Sequence, residues 1–364
     1  MTSRFALAML LLIVAVVGGW QPSPHAQVSR ADRPRVYVLS TGGTISGRGA
    51  SSTSLAEYTS GALKGEDLVA AVPEIAGVAD VRVEQIANVS STDITLAHWL
   101  TLAARINAIF ETDPSAAGVV ITHGTNTLEE TAYFLNLTVM HEKPVVLVGA
   151  MRPASAMSAD GPLNLLNAIR TAASPGAIGQ GVLVVLNDEI NGARDVTKTS
   201  TYRVETFRAP ELGLLGYVDA DRVTFYRSST KRHTANSEFD ARGITSLPPV
   251  EILYSYVQPN TRLAAALVEA GTRGIVFAGT GAGLVSTAER AALRPLVDLP
   301  ATSRPVLVRS NRTGSGRVVA LPDYDALGMI PADTLSPQKA RVLLMLALTR
   351  TSDPVEIRRM FAEY

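Results

Sequence analysis

The chain has 364 residues, 46% hydrophobic and 18% charged, which is enough apolar material for a large core in about two domains and excludes disorder. Thirty-three basic residues balance thirty-three acidic ones with no basic run, which argues against a nucleic-acid partner. With no cysteine, disulfides, thiolate metal sites and cysteine nucleophiles are all excluded.

Arg4 precedes an unbroken apolar run at 5–17, followed by Gly18, Gly19, Trp20 and a Pro/Ser stretch. A membrane span takes about 20 apolar residues, so the run is short for one. A charged start, a short apolar middle and a small-residue end have the layout of a secretory signal, expected over 1–26 with cleavage after Ala26. An uncleaved anchor is the alternative. The expected location is periplasmic or secreted, with no membrane attachment once the signal is removed.

From Arg35 onward, apolar runs alternate with amphipathic stretches. A strand over 36–39 ends in Thr41-Gly42-Gly43-Thr44, and a helix is predicted over 96–110. An apolar strand over 118–122 runs into His123-Gly124-Thr125-Asn126. Thr127 with Glu130 has the spacing of a capping box for a helix running toward Met140. A strand over 145–148 follows, then a helix with Asp160 as cap and Pro162 in its first turn, then a strand over 183–186. The stretch 227–249 is polar and irregular and reads as a linker. Beyond it come strands over 252–256, 274–278 and 306–309 and a closing helix from Ser336-Pro337. The alternation predicts two α/β domains: a larger, mostly parallel sheet with flanking helices at 34–226 and a smaller α/β domain at 250–364.

Ligands of open α/β sheets bind beyond the carboxyl ends of the strands, which singles out the two glycine- and threonine-rich turns. Their glycines permit close backbone approach, and free N–H groups at a helix start favour developing negative charge. There is no Gly-x-Ser-x-Gly elbow, so a threonine hydroxyl is the best remaining nucleophile, and it needs a proton acceptor nearby. The chain holds five lysines against twenty-eight arginines, and Lys198 follows a sheet strand and its loop. A buried lysine can act as a base where arginine cannot. Taken singly, each feature has a plain structural reading. Thr-Gly-Gly-Thr suits a tight turn and lacks a P-loop lysine, and Lys198 suits a surface charge. His123 suits a hydrogen-bonded structural role, since the five histidines never fall at metal-ligand spacing.

Together the residues resemble the bacterial-type L-asparaginase family, in its exported type II and glutaminase-asparaginase branch. The motifs are Val38-Leu39-Ser40-Thr41-Gly42-Gly43-Thr44-Ile45-Ser46 and Thr122-His123-Gly124-Thr125-Asn126-Thr127. Gly149-Ala150-Met151-Arg152-Pro153, Ser158-Ala159-Asp160-Gly161-Pro162, Arg194-Asp195-Val196-Thr197-Lys198, Lys231-Arg232-His233-Thr234 and Pro337-Gln338-Lys339-Ala340-Arg341 also fit. The resemblance implies hydrolysis of L-asparagine to L-aspartate and ammonia through an acyl-enzyme on Thr44, with some activity on L-glutamine and no cofactor or metal. It implies that Tyr58, in a Gly/Ser-rich lid over 47–61, lies beside Thr44, and that Thr125 and Lys198 polarise one another. It further implies that Ser91 and Thr92 grip the substrate α-carboxylate, that Asn126 helps bind the ammonium, and that the Ala150 backbone faces the leaving amide. A homotetramer with active sites shared between subunits is implied as well.

Two positions depart from the family pattern. Asn126 stands where the family usually has aspartate, so a charge-assisted contact worth about 1.5–3 kcal/mol is lost, and Lys198 is expected to hold its proton less tightly. The region where a neighbouring subunit supplies an acid in the family reads Pro322-Asp323-Tyr324-Asp325, with Gln258 and Asn260 on the other C-terminal loop; these positions bear on asparagine-versus-glutamine preference. Two alternatives stand beside the leading expectation. One is a dual glutaminase-asparaginase with comparable rates. The other is a non-catalytic periplasmic amino-acid-binding protein, against which the retained Thr44, Thr125 and Lys198 argue.

Overall fold

The apolar runs of the first half form the middle of an eight-stranded sheet in the computed structural model, which describes residues 33–364. The expected signal segment at 1–26 lies outside the described residues. In chain order the strands are Arg35–Gly42 (β1), Asp80–Val89 (β2), Ala116–Thr122 (β3), Val145–Val148 (β4), Val182–Leu186 (β5), Glu189–Gly192 (β6), Gly216–Val218 (β7) and Val223–Phe225 (β8). They lie in the order β8-β7-β6-β5-β4-β3-β1-β2. Pairing is parallel from β2 through β5 and antiparallel from β5 through β8.

Each central strand is apolar on both sides because both of its faces are covered. Leu39, Val119, Ile121, Val145 and Leu147 join one core with the helices Leu96–Thr112 (α1) and Leu128–Thr138 (α2). Their chain neighbours Val38, Val120, Val146 and Val148 join another core with Gly161–Ala172 (α3). The second half builds a four-stranded parallel sheet from Val250–Tyr254 (β9), Gly274–Gly279 (β10), Val306–Asn311 (β11) and Ile330–Pro331 (β12). Its helices include Leu263–Glu269 (α4), Thr287–Val297 (α5), Pro337–Leu348 (α6) and Pro354–Glu363 (α7). Helix α2 packs on α6 as well as on the large sheet, which explains why nearly every residue of α2 is buried. The fold class is the expected one, a large mostly parallel α/β sheet with a smaller α/β sheet after it.

Several local expectations are corrected. Thr127 occupies the cap position of α2 but forms no capping box; its hydroxyl donates to Ser91 O at 2.7 Å. Asp160 precedes α3, yet its carboxylate turns backward to accept from Met151 N and Arg152 N, each at 2.9 Å. The strand placed at 252–256 begins and ends two residues earlier, as β9. The polar stretch 227–249 is fastened down: Arg232 pairs with Glu363 at 2.7 Å, and the buried Phe239 ring lies 4.9 Å from that of Tyr364.

The register of β1 sets Ser40 opposite both Gln85 and Thr122, so the turns after β1 and β3 leave the sheet side by side. Gly43 lies at φ 85°, and a Cβ placed on it would stand 2.3 Å from Gly124 Cα and N. The two backbones touch, and only glycine permits it. Gly43→Ala is therefore expected to cost about 2–5 kcal/mol in chemical denaturation, strain and overlap together. Gly271→Ala, at φ 92° but facing open space, is expected to cost only about 1–2 kcal/mol. Equal losses would show that the backbone contact constrains nothing.

Candidate active site

Thr44 is the first residue after this contact and opens the short turn Thr44–Ser46. It is 8% exposed, with Oγ1 2.7 Å from Tyr58 Oη. Tyr58 is carried by a small hairpin in which Tyr58–Thr59 pairs with Arg48–Gly49. Gly47 makes room for its ring, since a Cβ there would sit 2.8 Å from Tyr58 Cδ2. The hairpin is pinned to the 153–157 loop by Ala154 N to Gly47 O at 2.9 Å, Gly49 N to Ser155 Oγ at 2.8 Å and Met157 N to Ser52 O at 2.8 Å.

The turn after β3 is fixed from beneath by His123, which is fully buried. Its Nδ1 lies 2.7 Å from Gly124 O, and a carbonyl only accepts, so Nδ1 carries the hydrogen. Nε2 then accepts from the Thr131 hydroxyl at 3.0 Å, and that oxygen accepts from Trp99 Nε1 at 2.8 Å. Burial pushes the His123 pKa down to about 4, so the ring is neutral and structural. Among the described residues there is no group of three or more His, Asp or Glu that could hold a metal.

Lys198 reaches this turn from the two-residue strand Thr197–Lys198, which pairs with Phe207–Arg208. Its Nζ donates to Thr125 Oγ1 at 2.8 Å and to Asn126 Oδ1 at 3.0 Å. Burial holds the ammonium below the usual lysine range, and the negative charge of Glu129 opposes that shift. The Lys198 backbone N donates to Glu129 Oε2 at 2.8 Å, while Gln338 Nε2 donates to Glu129 Oε1. The segment leading to Lys198 is braced by Lys339, whose Nζ donates to Arg194 O at 2.8 Å and to Val196 O.

Thr44, Tyr58, Thr125, Asn126 and Lys198 line one cavity of about 550 Å³. Ser91, Thr92 and Ala150 are not among its lining residues, although Ser91 and Ala150 adjoin the lining residues Asn126 and Met151. Ser91 is buried and its Oγ accepts from Asn126 N at 3.1 Å, whereas Thr92 is exposed and donates to Ser90 Oγ at 2.9 Å. Ala150 is fully buried in the turn after β4 that Asp160 holds. In the C-terminal region Asp323 pairs with Arg290 at 2.6 Å and Asp325 with Arg358 at 2.8 Å. Glu129 and Gln338 also line the cavity and were missed by sequence reasoning. In the sequence Glu129 is masked by Glu130, which has capping-box spacing from Thr127, and Gln338 lies in a motif with no local sign of a role at the site.

A hydroxyl beside a phenol, with a second hydroxyl on a half-buried amine, is a combination that can support attack by an activated hydroxyl. Comparison with known proteins gives the family. The family model "Asparaginase, N-terminal" matches residues 35–231, and "Glutaminase/Asparaginase C-terminal domain" matches 249–361. The chain belongs to the asparaginase family. It is 48% identical to a protein named probable L-asparaginase periplasmic from Haemophilus influenzae, over 92% of this chain and 94% of that one. It is 42% identical to a glutaminase-asparaginase of Pseudomonas fluorescens biotype A, over 99% and 97%. A crystal structure named probable cytoplasmic L-asparaginase, from Campylobacter jejuni, superimposes with a TM-score of 0.87 at 47% identity, covering 91% of this chain and all of that one.

The brace under Lys198 has a pH signature. Burial lowers the Lys339 pKa from 10.5 to about 8, so between those values the unfolded chain binds more protons than the folded one. Its contribution to stability therefore rises as pH rises from 8 toward 10.5. The difference in Tm between the parent and Lys339→Met is expected to grow in favour of the parent over that window; a constant difference would contradict a buried, titrating lysine.

Proposed function

We propose that the protein hydrolyses L-asparagine to L-aspartate and ammonia, with Thr44 as nucleophile. The observation that carries this reading is that Thr44 with Tyr58 and Thr125 with Lys198 open onto one cavity. Thr44 Oγ1 attacks the side-chain amide carbon while its proton passes to its hydrogen-bonded neighbour Tyr58. Lys198, shifted toward neutrality by burial, takes up that proton through Thr125 and returns it to the departing nitrogen. The C–N bond breaks as the nitrogen is protonated, ammonia leaves, and an ester to Thr44 remains. Water then adds to the ester, restoring the Thr44 hydroxyl and releasing aspartate. Ser91 and Thr92 are proposed to receive the α-carboxylate and Asn126 the α-ammonium, with the Ala150 backbone toward the leaving amide.

Activity on L-glutamine is a second reading, favoured by the name and near-complete coverage of the Pseudomonas relative. One methylene in a pocket is worth only about 1–3 kcal/mol, so both amides are within range of one site. The enzyme names of the relatives leave the non-catalytic alternative without support.

Export to the periplasm or beyond is proposed from the signal-like segment 1–26 and the name of the Haemophilus relative, against the cytoplasmic name of the Campylobacter structure. No helix among the described residues is long and apolar enough to cross a membrane. A homotetramer of two-domain subunits, divided at 34–226 and 250–364, is also proposed. Exposed Tyr226, Tyr254, Tyr256 and Val257 support it as apolar surface available for contact.

Ammonia release with L-asparagine and L-glutamine side by side tests the reading. The parent is expected to turn over asparagine, Thr44→Ala to lose turnover while still folding, and Tyr58→Phe to lose about 10²–10⁴-fold in kcat. Undiminished turnover by Thr44→Ala would remove it as nucleophile.

A further inference from the structure

Lys198 and Glu129 are the basic and the acidic residue among the described residues that line the cavity. Glu129 comes from the first turn of α2, is 6% exposed, and spends neither carboxylate oxygen on solvent. One oxygen accepts from the Lys198 backbone N at 2.8 Å and the other from Gln338 Nε2, the second residue of α6. The side-chain partners of Lys198 Nζ, Thr125 and Asn126, are both neutral. A buried ammonium without an anion nearby is costly, and here the anion is placed by a donor from the second lobe.

We infer that Glu129, held by Gln338, is a positioning residue for the reaction proposed above: it fixes the backbone of Lys198 and supplies the negative charge that its side-chain partners lack. The second lobe thereby reaches the base through Glu129. Gln338 shares the carboxylate charge by donating to it, so the strength of that hydrogen bond tunes how strongly Glu129 acts on Lys198.

Because Lys198 must be neutral to accept a proton, turnover rises with pH through its pKa. Glu129→Gln keeps a side chain of the same shape and an acceptor for the Lys198 N–H, but removes the charge that favours the ammonium. The acidic limb of the kcat profile is expected to move down by about one pH unit, with KM for asparagine little changed. Gln338→Met removes the donor and leaves the carboxylate charge undiluted, so the limb is expected to move up. A purely structural role for either residue lowers kcat at every pH and leaves both limbs in place.

The same shift is read without turnover by competitive labelling. Purified protein is treated with trace acetic anhydride across the pH range, and acetylation of Lys198 is followed by peptide mass spectrometry. The labelling midpoint is expected to fall in Glu129→Gln and rise in Gln338→Met. Should Glu129→Gln fail to fold, the direction of the shift in Gln338→Met decides alone. Shifted midpoints in a protein that releases no ammonia would uphold the positioning role and reject the hydrolase reading. Normal turnover with midpoints unmoved in the folded variants would overturn the inference.

Discussion

The backbone contact between Gly43 and Gly124 is the constraint from which the rest of the site follows. Adjacent parallel strands lie about 4.8 Å apart, so their following turns diverge unless something draws them together. Here β1 and β3 are in register at Ser40 and Thr122, and Thr41 Oγ1 donates to Thr122 O at 2.9 Å just before both chains turn. With no side chain at either position, the two turns can touch. Thr44 and Thr125, each one residue beyond its glycine, are thereby delivered to one cavity from segments 81 residues apart in sequence. The buried His123 ring, neutral and bonded on both nitrogens, keeps the second turn from relaxing.

The second lobe completes what the first cannot build alone. Lys198 lies on a two-residue strand, too short to be rigid by its own pairing. Its position is set by backbone contacts with buried polar side chains: Lys339 holds the carbonyls of Arg194 and Val196, and Arg194 Nε donates to Tyr364 O at 3.0 Å. Helix α2, clamped between the large sheet and α6, carries Glu129 to the same segment. Stability of the lobe contact and geometry of the proposed base are therefore one physical matter. Loss of packing between α2 and α6 would reach Lys198 through the hydrogen bonds of Glu129.

Much of the fold was legible because the central strands are covered on both faces and so appear as uninterrupted apolar runs; β4 falls where the sequence placed it, at 145–148. The edge strand β2 was not legible. One of its edges has no partner strand, and Asp80, Arg82, Glu84, Gln85 and Asn88 break its apolar pattern. The antiparallel strands β6 to β8 have only three or four residues each, too few for an alternating pattern to stand out in the sequence. Capping motifs misled for a related reason: Thr127 and Asp160 have the right types at the right spacing, but tertiary partners at Ser91, Met151 and Arg152 compete for their oxygens. In the site, threonines and Lys198 stood out because they follow strands directly. Glu129 and Gln338 did not, since their meeting requires two lobes to dock and no local pattern encodes that.

In the proposed reaction the turn after β1 supplies the nucleophile and the turn after β3 its proton relay. Rapid acid quench of the protein during asparagine turnover, followed by digestion and mass spectrometry, tests this most directly. An aspartyl ester on the peptide containing Thr44, and on no other, is the predicted result. An ester found on Thr125 instead, or turnover without any ester on Thr44, would contradict it.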